Sequence, residues 1–400
     1  MSSKVFAAGE LIEYSIGGGW GKEEPQGDYQ TEVAIIRGAD FPSIEQGSYT
    51  GLPVRWEKKT KATKASLRPG DIVLEISGGT DNRPTGRTLY ITEELLDSYA
   101  CPVIPASFCR LIRPNQEVDS AYFFFWLQYM YVKGRTWGYQ NRSTGLSNFQ
   151  YKVFAELEQV AVPQDDVQQG IAKLLLDLET KRHINNRIND YLAELCEAVA
   201  ARRNAPEGTL ADICIQVADK VSCEEADIHT YVSTESLLAD KGGRQTAASL
   251  PTKGKVTAYE AGDTLVSNIR PYFKKIWYAD CSGTCSADVI VFRANDPSLA
   301  PYVYACLRRD VFFEFVMAGS KGTKMPRGDK KQMMAFPISP CCDNDDLAAI
   351  TSAVQQIGAN NRENVNLAGL RDTLLPKLMS GEIDVSQVEL TPPNNHLSAD

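Results

Sequence analysis

The order of apolar and polar residues divides the chain into two kinds of segment. Short β-branched runs separated by Gly, Pro, Asn and Asp predict strands in the first 150 or so residues, among them VAIIRG, GDIVLEIS, TLYI and FCRLI. A helix is predicted from about Ser120 to Val132, with a counterpart near Pro301 to Val316. Strands and helices in this order predict an α+β fold.

Two longer helices are predicted, from about Gln164 to Arg203 and from about Asp343 to Ser380. In the first, positions spaced alternately by four and three form a seam: Leu174, Leu178, Lys181, Asn185, Ile188, Leu192, Leu195 and Val199. The second has Leu347, Ile350, Val354 and Ile357, then Asn360-Asn361, then Leu367, Leu370, Leu374 and Leu378, which predicts a local change of phase. Polar residues in the middle of both seams favour an antiparallel coiled coil. The alternative, two surface helices that each pack on their own half, stays open.

The second half of the chain repeats the first. GELIEYSI from Gly9 resembles GTLADICI from Gly208, and GDIVLEISGG from Gly70 resembles GDTLVSNIRP from Gly262. Three further matches follow in the same order: Gly145 with Gly322, Pro163 with Pro340, and Asn185-Asn186-Arg187 with Asn360-Asn361-Arg362. We infer a tandem duplication with the divisions 1–163, 164–206, 207–342, 343–383 and a polar tail, 384–400.

The seam from Leu174 to Val199 also predicts a distance. At about 1.5 Å per residue it is about 40 Å long. That is close to one turn of B-DNA, about 34–36 Å.

Composition excludes several classes of protein. Lys and Arg total 42 against 51 Asp and Glu, a net charge of −9, which excludes a globally basic nucleic-acid binder. The most apolar run, Tyr122 to Val132, is shorter than the roughly 20 residues that span a bilayer. Ten scattered cysteines predict a cytoplasmic protein with reduced thiols. Cys281 with Cys285, and Cys341 with Cys342, lack a second short-spaced Cys or His pair, so no metal is expected.

Catalytic motifs are missing from the sequence. There is no Gly-x4-Gly-Lys-Ser/Thr, no Asn-Pro-Pro-Tyr or Asp-Pro-Pro-Tyr, and only three histidines. Glu57-Lys58-Lys59 resembles the Glu-x-Lys end of a nuclease metal site, but it is a common tripeptide. The sequence predicts a protein that is not an enzyme.

Basic residues cluster in loops despite the acidic total. RWEKKTKATKASLR (55–68) and KGRTWGYQNR (133–142) lie in the first half, and RPYFKKIW (270–277) and KGTKMPRGDKK (321–331) in the second. Lys and Arg contact DNA phosphates, and Arg, Asn and Gln read base edges. A single charged run is usually a solvated loop. Four such runs at corresponding places in a duplication leave two interpretations open on equal terms, DNA binding and solvated loops.

These segments resemble a known family, the specificity subunits of type I restriction-modification systems. GLRDTLLPKLMSGEI (369–383) is similar to the most recognisable segment of that family, and VAVPQDDVQQGIAKLLLDLETKRHINNRINDYLAEL to its central conserved helix. SIGGGWG, LRPGDIVLEISGGTDNRPTGR and TGLSNF resemble one class of target recognition domain. STESLL, GDTLVSNIRPYFKKIW and KGTKMPRGDKKQM resemble another.

The resemblance implies two tandem target recognition domains, separated by two long helices that form an antiparallel coiled coil with pseudo-twofold symmetry. Each domain would read one half of a bipartite asymmetric DNA site, with a spacer of roughly 6–8 base pairs. Two methyltransferase subunits would dock on the helices, and restriction subunits would be recruited. S-adenosylmethionine, ATP and Mg belong to those partners, and no cofactor is expected in this chain. The alternative is a DNA-recognition scaffold of another modification or phage-defence complex without the restriction motor.

The candidate site residues follow from these segments. Lys58, Lys59, Lys61 and Lys64 are predicted to contact phosphates, and Gly78, Gly79 and Gly322 to let backbone approach DNA or simply to form turns. Predicted base or groove contacts are Arg83, Arg87, Arg135, Asn141 and Arg142 in the first half-site. Their equivalents in the second are Arg270, Lys274, Lys275, Lys321, Lys324 and Arg327. Predicted seam and partner-docking positions are Leu174, Leu178, Asn185, Ile188, Leu192, Leu195, Leu370 and Leu374.

Overall fold

The computed structural model describes residues 3–79, 82–143, 146–202, 207–322, 324–339 and 343–385. Pro206, Gly145, Cys341, Cys342 and most of the tail 384–400 lie outside this range, so the predictions that involve them are not addressed. The chain divides into two units, which we call unit 1 (Met1–Asn186 with Glu363–Asp400) and unit 2 (Arg187–Arg362).

Unit 1 combines short strands with helices of very different length. Its strands are β1 (Lys4–Ala7), β2 (Ile12–Gly17), β3 (Tyr29–Ile36), β4 (Val54–Lys58), β5 (Ile72–Glu75), β6 (Ser77–Gly79), β7 (Thr88–Tyr90), β8 (Val103–Pro105), β9 (Cys109–Pro114), β10 (Gln140–Ser143), β11 (Leu146–Phe149) and β12 (Gln159–Val162). Its helices are α1 (Phe41–Ile44), α2 (Lys59–Ala65), α3 (Glu93–Asp97), α4 (Ser120–Val132), α5 (Tyr151–Leu157) and the first part of α6 (Asp165–Ala201).

Unit 2 has the same kinds of element. Its strands are β13 (Gly208–Thr209), β14 (Cys214–Gln216), β15 (Lys220–Ser222), β16 (Lys255–Tyr259), β17 (Thr264–Ser267), β18 (Ile276–Tyr278), β19 (Gly283–Cys285), β20 (Val289–Ala294) and β21 (Pro337–Ile338). Its helices are α7 (Ala300–Arg308), α8 (Asp310–Ala318), α9 (Lys330–Met334), the end of α6 and the first part of α10 (Asn344–Met379). The α+β prediction is confirmed.

The central sheets of the two units have the same topology. In unit 1 the order is β2-β9-β5-β7, and in unit 2 it is β14-β20-β17-β18, with every pair antiparallel. In each unit a two-stranded ribbon, β1-β12 or β13-β21, joins the first strand of the unit to the strand before the long helix. The sequence repeat therefore corresponds to a repeat of topology.

A buried ion pair occupies the same place in both central sheets. Asp71 precedes β5 and accepts two hydrogen bonds of 2.7 Å from Arg113. Asp263 precedes β17 and accepts bonds of 2.8 and 2.7 Å from Arg293. Both carboxylates are buried, so each pair satisfies a charge that would otherwise be costly in the core.

Each unit also has a three-stranded sheet that we call its third sheet, β4-β3-β8 in unit 1 and β15-β16-β19 in unit 2, and these third sheets differ. In unit 1, β3 lies between β4 and β8 and pairs with β8 in parallel. In unit 2, β16 lies between β15 and β19, and both pairs are antiparallel. The two copies thus share a central sheet and differ around it.

The helix predicted near Pro301 to Val316 is two helices. Arg309 separates α7 from α8 because its backbone is extended, with φ −63° and ψ 142°. No Gly or Pro marks the break in the sequence. In unit 1 the matching helix, α4, is continuous and carries buried aromatic rings on several sides.

The long helices α6 and α10 pair antiparallel. In unit 1, Glu179 accepts a bond of 2.6 Å from Arg371, and Asn185 donates to Asn364 at 3.0 Å. In unit 2, Asn360 donates to Asn189 at 2.8 Å. Partner numbers fall on α10 as they rise on α6, which establishes the antiparallel direction. Asn185 and Asn360 are buried and hydrogen-bonded, the environment in which a polar seam residue fixes register.

The observed seam of α6 differs from the predicted one at every second position, where the residue that follows the predicted one is the more buried. The positions between them agree with the prediction. Leu178, Asn185, Leu192 and Val199 are buried or half-buried as predicted. Ile188 and Leu195 are 39% and 41% exposed, while of their neighbours Asn189 is half-buried and Cys196 is buried. Leu175 is fully buried and Leu174 only partly, and the half-buried Arg182 replaces Lys181.

The seam of α10 is continuous. Buried or half-buried residues follow one alternating spacing of four and three, so the predicted change of phase is wrong: Asp346, Ile350, Ala353, Ile357, Asn360, Asn364, Leu367, Arg371, Leu374 and Leu378. Leu370 is exposed, and Arg371 takes its place. The asparagines keep the pattern because they bond across the pair rather than leave it.

Candidate nucleic-acid interface

In unit 1, β5 is followed directly by β6, which belongs to a small three-stranded sheet rich in polar residues. The order is β10-β11-β6, and Asn141 faces Asn148, which in turn pairs with Ser77. The Ser77 hydroxyl also contacts the Asn148 side-chain oxygen. Asn141 and Asn148 are exposed. Exposed side-chain amides in a row are suited to the hydrogen-bonding edges of bases.

Glycine is required at the start of this sheet. Gly78 has φ +130°, and a Cβ on Gly79 would lie 2.9 Å from the Arg83 carbonyl oxygen. The geometry gives both glycines a role in shaping the turn. Their predicted close approach to DNA stays a prediction.

Arg83 and Arg87, in the segment that follows β6, both form ion pairs with the buried Glu75. Glu75 accepts bonds of 2.9 and 2.7 Å from Arg87 and one of 3.3 Å from Arg83. Arg87 also donates to the Gly38 carbonyl, and Arg83 to the Gly78 carbonyl, each at 2.7 Å. Arg83 and Arg87, both predicted to contact bases, therefore attach this segment to the end of β5. The side chain of Arg83 is more exposed to solvent than that of Arg87.

Arg135 is also tied to a buried carboxylate. It forms an ion pair with Glu158, which accepts a second bond of 2.6 Å from the Tyr139 hydroxyl. Burial is the main cause that raises the pKa of Tyr139 to about 12. The side chain of Arg142 lies outside the described part of the chain, so that prediction is not addressed.

The basic run 55–68 is divided between a strand and a helix. Lys59 and Lys64 are exposed on α2. Lys61 donates to the Gly17 carbonyl at 2.5 Å, and burial lowers the pKa of its ammonium group. Lys58, at the end of β4, lies 3.4 Å from Asp28. Among the four lysines predicted to contact phosphates, Lys59 and Lys64 thus present unpaired charge to solvent.

An exposed turn connects the glycine-rich loops of unit 1. The Pro105 carbonyl accepts a bond from Gly19, and the Phe108 carbonyl accepts one from Ile76, each at 2.9 Å. Phe108 is largely exposed, and Trp20 is partly exposed beneath the guanidinium of Arg55. Phe108 and Asn148 are candidate contacts that the sequence reasoning missed. An apolar residue in a polar turn was the available signal for Phe108.

Unit 2 places its basic segments at the equivalent position. After β17, Ile269 bridges to Arg327, and Lys321 bridges back to Arg327, so Lys321 and Arg327 lie on the two arms of a short hairpin beside the chain that leaves the sheet. Gly322 has φ +98° in this hairpin. Unit 1 joins β6 to β11 at the same point of the fold. The structure therefore brings Arg270, Lys321, Gly322, Lys324 and Arg327 together.

Several cations of unit 2 have counterions. Lys274 lies 3.1 Å from Asp310, Lys321 lies 3.2 Å from Asp329, and Arg327 lies 3.2 Å from Asp288. Lys275 donates to the Thr234 carbonyl at 2.6 Å, and burial lowers the pKa of its ammonium group. Lys324 is exposed.

No group of three or more His, Cys, Asp or Glu in the described ranges is arranged to hold a metal ion. No helix in the described part of the chain is long and apolar enough to cross a membrane.

Solved structures similar to this chain include three with a common description. The crystal structure of a type I restriction-modification system S subunit from M. genitalium is 14% identical, with 94% of this chain and 96% of that chain covered and a TM-score of 0.49. The HsdS subunit from Thermoanaerobacter tengcongensis is 12% identical, with 95% and 97% covered and a TM-score of 0.35.

The third structure is described as the basis of complex assembly and conformational transition of the type I R-M system. It is 14% identical, with 95% of this chain and 98% of that chain covered and a TM-score of 0.39. All three are type I restriction-modification proteins. No family model matches this chain, and no curated protein matches it.

Proposed function

We propose that this chain is the DNA-specificity subunit of a type I restriction-modification complex. One observation carries the proposal: the chain contains two units with the same central-sheet topology, and each unit is joined to an antiparallel pair of long helices. A duplicated reader suits a bipartite site, with unit 1 reading one half and unit 2 the other. The different third sheets suit an asymmetric site, because each reader then presents different loops.

The helix pair is proposed to set the gap between the half-sites. α6 contains 37 residues, and its seam from Leu174 to Val199 is about 40 Å long at 1.5 Å per residue. About one turn of B-DNA between the centres of the readers leaves a spacer of roughly 6–8 base pairs. Bonded asparagines in the seam would keep this length fixed by preventing the helices from slipping.

Partner subunits are proposed to dock on the helices and to supply the chemistry. In unit 2, Ile188, Tyr191 and Leu195 form an exposed apolar stripe on one face of α6, with Tyr191 62% exposed. Such a stripe is suited to a protein interface. The proposed occupants are two methyltransferase subunits, which bring S-adenosylmethionine, with restriction subunits that bring ATP and Mg.

The proposal is tested by mapping methylated bases in the genome of cells with and without this gene. We expect one bipartite motif, two short halves around a fixed gap, to lose methylation when the gene is deleted. An unchanged pattern in cells that express an intact partner methyltransferase would contradict the proposal.

A further inference from the structure

Backbone strain is concentrated in two turns of unit 2. Among the described residues, the non-glycine residues with positive φ are Asp240 (52°), Lys241 (63°), Arg270 (50°) and Lys274 (50°). This left-handed conformation is costly for residues with a Cβ, and it tends to persist where function requires it. We call the segments 239–241 and 270–274 the strained double turn.

The two turns are bonded to each other. The Asp240 amide donates to the Phe273 carbonyl at 2.8 Å, and the Lys241 amide donates to the Lys274 carbonyl at 2.9 Å. The unfavourable backbone of one turn is therefore held in place by the other.

A network of ion pairs joins the strained double turn to three helices of unit 2. Lys241 lies 2.9 Å from Glu197 on α6 and 2.8 Å from Asp310 on α8, and Lys274 shares Asp310 at 3.1 Å. Arg308 of α7 lies 3.1 Å from Glu197 and donates to the Lys241 carbonyl at 2.9 Å. Three helices thus fix the position of the turn.

The front of the strained double turn presents two aromatic rings to solvent. Tyr272 is 48% exposed and Phe273 is 38% exposed, and their ring centroids are 4.7 Å apart. Because they lie at the tip of the turn, these two rings bury little of their own surface against the rest of the chain. A rigid, exposed aromatic pair is suited to insertion into a partner.

The surrounding charges favour a polyanion as that partner. The segments 239–241, 270–275 and 321–328 contain seven Lys and Arg. Four of them, Lys241, Lys274, Lys321 and Arg327, have carboxylate counterions. The other three, Arg270, Lys275 and Lys324, form no ion pair within the described residues. Arg270 has a buried Nε without a hydrogen-bond partner, and its amide donates to the Pro326 carbonyl of the adjacent hairpin at 2.8 Å.

We propose that Tyr272 and Phe273 form a wedge that inserts between neighbouring base pairs of the half-site read by unit 2. This inference rests on the proposed function and adds a mode of reading to it. Apolar side chains that enter a base step unstack and kink the duplex, so the sequence is selected by how easily that step deforms.

In the sequence, Thr80 and Asp81 of unit 1 stand where Tyr272 and Phe273 stand in unit 2. Gly78 and Gly79 follow β5 where Arg270 and Pro271 follow β17, and Gly78 adopts positive φ without a side chain. Distortion by this pair of rings is therefore expected in the unit 2 half-site alone, and the other half-site supplies an internal comparison.

The test uses the full chain, purified with its partner subunits from cells that carry the gene. The probes are DNA duplexes with the mapped target, each with 2-aminopurine at one position. We expect fluorescence to rise severalfold at one base step of the unit 2 half-site and at no step of the other half-site. This first measurement needs no variant.

The variants then assign the effect to the two rings. Tyr272→Ala with Phe273→Ala is expected to remove the fluorescence rise and to weaken binding about tenfold or more. Tyr272→Leu with Phe273→Leu is the matched control and is expected to keep the rise, because leucine is also an effective wedge. Both pairs are exposed, and thermal unfolding checks that each variant is folded.

The outcomes separate this inference from the proposed function. Sequence-specific binding without unstacking at any step, or with unstacking that survives the alanine pair, overturns the wedge and leaves the proposed function intact. Loss of partner subunits from the alanine variant, with DNA binding unchanged, overturns the wedge in favour of a protein contact. A wild-type complex that prefers no DNA sequence overturns both.

Discussion

At the scale of single residues, burial decides which charges are available to a bound partner. Arg87 and Arg135 resemble groove-reading arginines in the sequence, but their guanidinium groups bind Glu75 and Glu158. Glu75 is 12 residues from Arg87, and Glu158 is 23 residues from Arg135. Neither acid is marked in the sequence as buried. The sequence therefore identified the basic loops, whereas the direction of each side chain depends on a tertiary neighbour.

Glu75 offers a test of this internal role. Glu75→Ala leaves Arg87 without its counterion in a half-buried site, and we expect a loss of about 3–5 kcal/mol in the free energy of unfolding. Urea denaturation measures it. Glu24→Ala, an exposed control, is expected to change stability by less than about 0.5 kcal/mol. Equal effects of the two substitutions would contradict the assignment.

The lysines of α2 offer a second test, on DNA. Lys59→Gln with Lys64→Gln removes two exposed charges, so the slope of log K against log salt should fall by about 1.8 with weaker binding to every sequence. Lys61→Gln is the matched control, because Lys61 is bonded to Gly17 and is expected to leave the slope unchanged. Binding titrations at several salt concentrations distinguish them. A slope unaffected by the double substitution would refute the phosphate contacts.

At the scale of elements, the sequence predicted where the long helices lie better than which of their residues are buried. Leu178, Asn185, Leu192 and Val199 were placed correctly on the seam, but Leu174, Ile188 and Leu195 each have a neighbour that takes the buried position. Where two adjacent residues both fit a seam, as Leu174 and Leu175 do, only the packing of the opposite helix selects one. The break at Arg309 between α7 and α8 was invisible for the same reason.

A matched leucine pair tests the corrected seam. Leu175→Ala creates a cavity in the core of unit 1 and should cost about 2–5 kcal/mol in unfolding free energy. Leu195→Ala removes the same atoms from an exposed position and should cost far less, while weakening the binding of partner subunits. Denaturation and co-purification measure the two effects. A larger stability loss at Leu195 would restore the seam predicted from the sequence.

The proposed ruler is tested by lengthening both helices. One heptad inserted into α6 and one into α10 keeps the seam in register and adds about 10 Å. At about 3.4 Å per base pair, the recognised spacer should lengthen by about three base pairs with both half-sites unchanged. Methylation mapping reads the new motif. An unchanged spacer in a folded, active variant would contradict the ruler.

At the scale of the whole molecule, the repeat was visible in the sequence because structural positions were retained. Gly70-Asp71 and Gly262-Asp263 precede equivalent strands, and each aspartate meets an arginine on the neighbouring strand. The third sheets were not predictable, since β8 and β19 join their sheets with opposite directions. Strand direction there depends on loops that have diverged between the copies.

Independence of the two readers is the corresponding prediction. If the proposed function holds, replacing residues 1–163 with the first target recognition domain of a type I specificity subunit should change one half-site and leave the other half and the spacer intact, because unit 2 has a core and sheets of its own. The motif recovered by methylation mapping checks this. A change in both halves would show that the readers act as one surface.

The most direct test of the central claim is single-molecule mapping of methylated bases in cells with and without the gene. The account predicts that one motif disappears, and that it has two short, different halves separated by roughly 6–8 base pairs. A continuous motif, a symmetric pair of halves, or a methylation pattern that does not depend on the gene while the partner methyltransferase is expressed would contradict it.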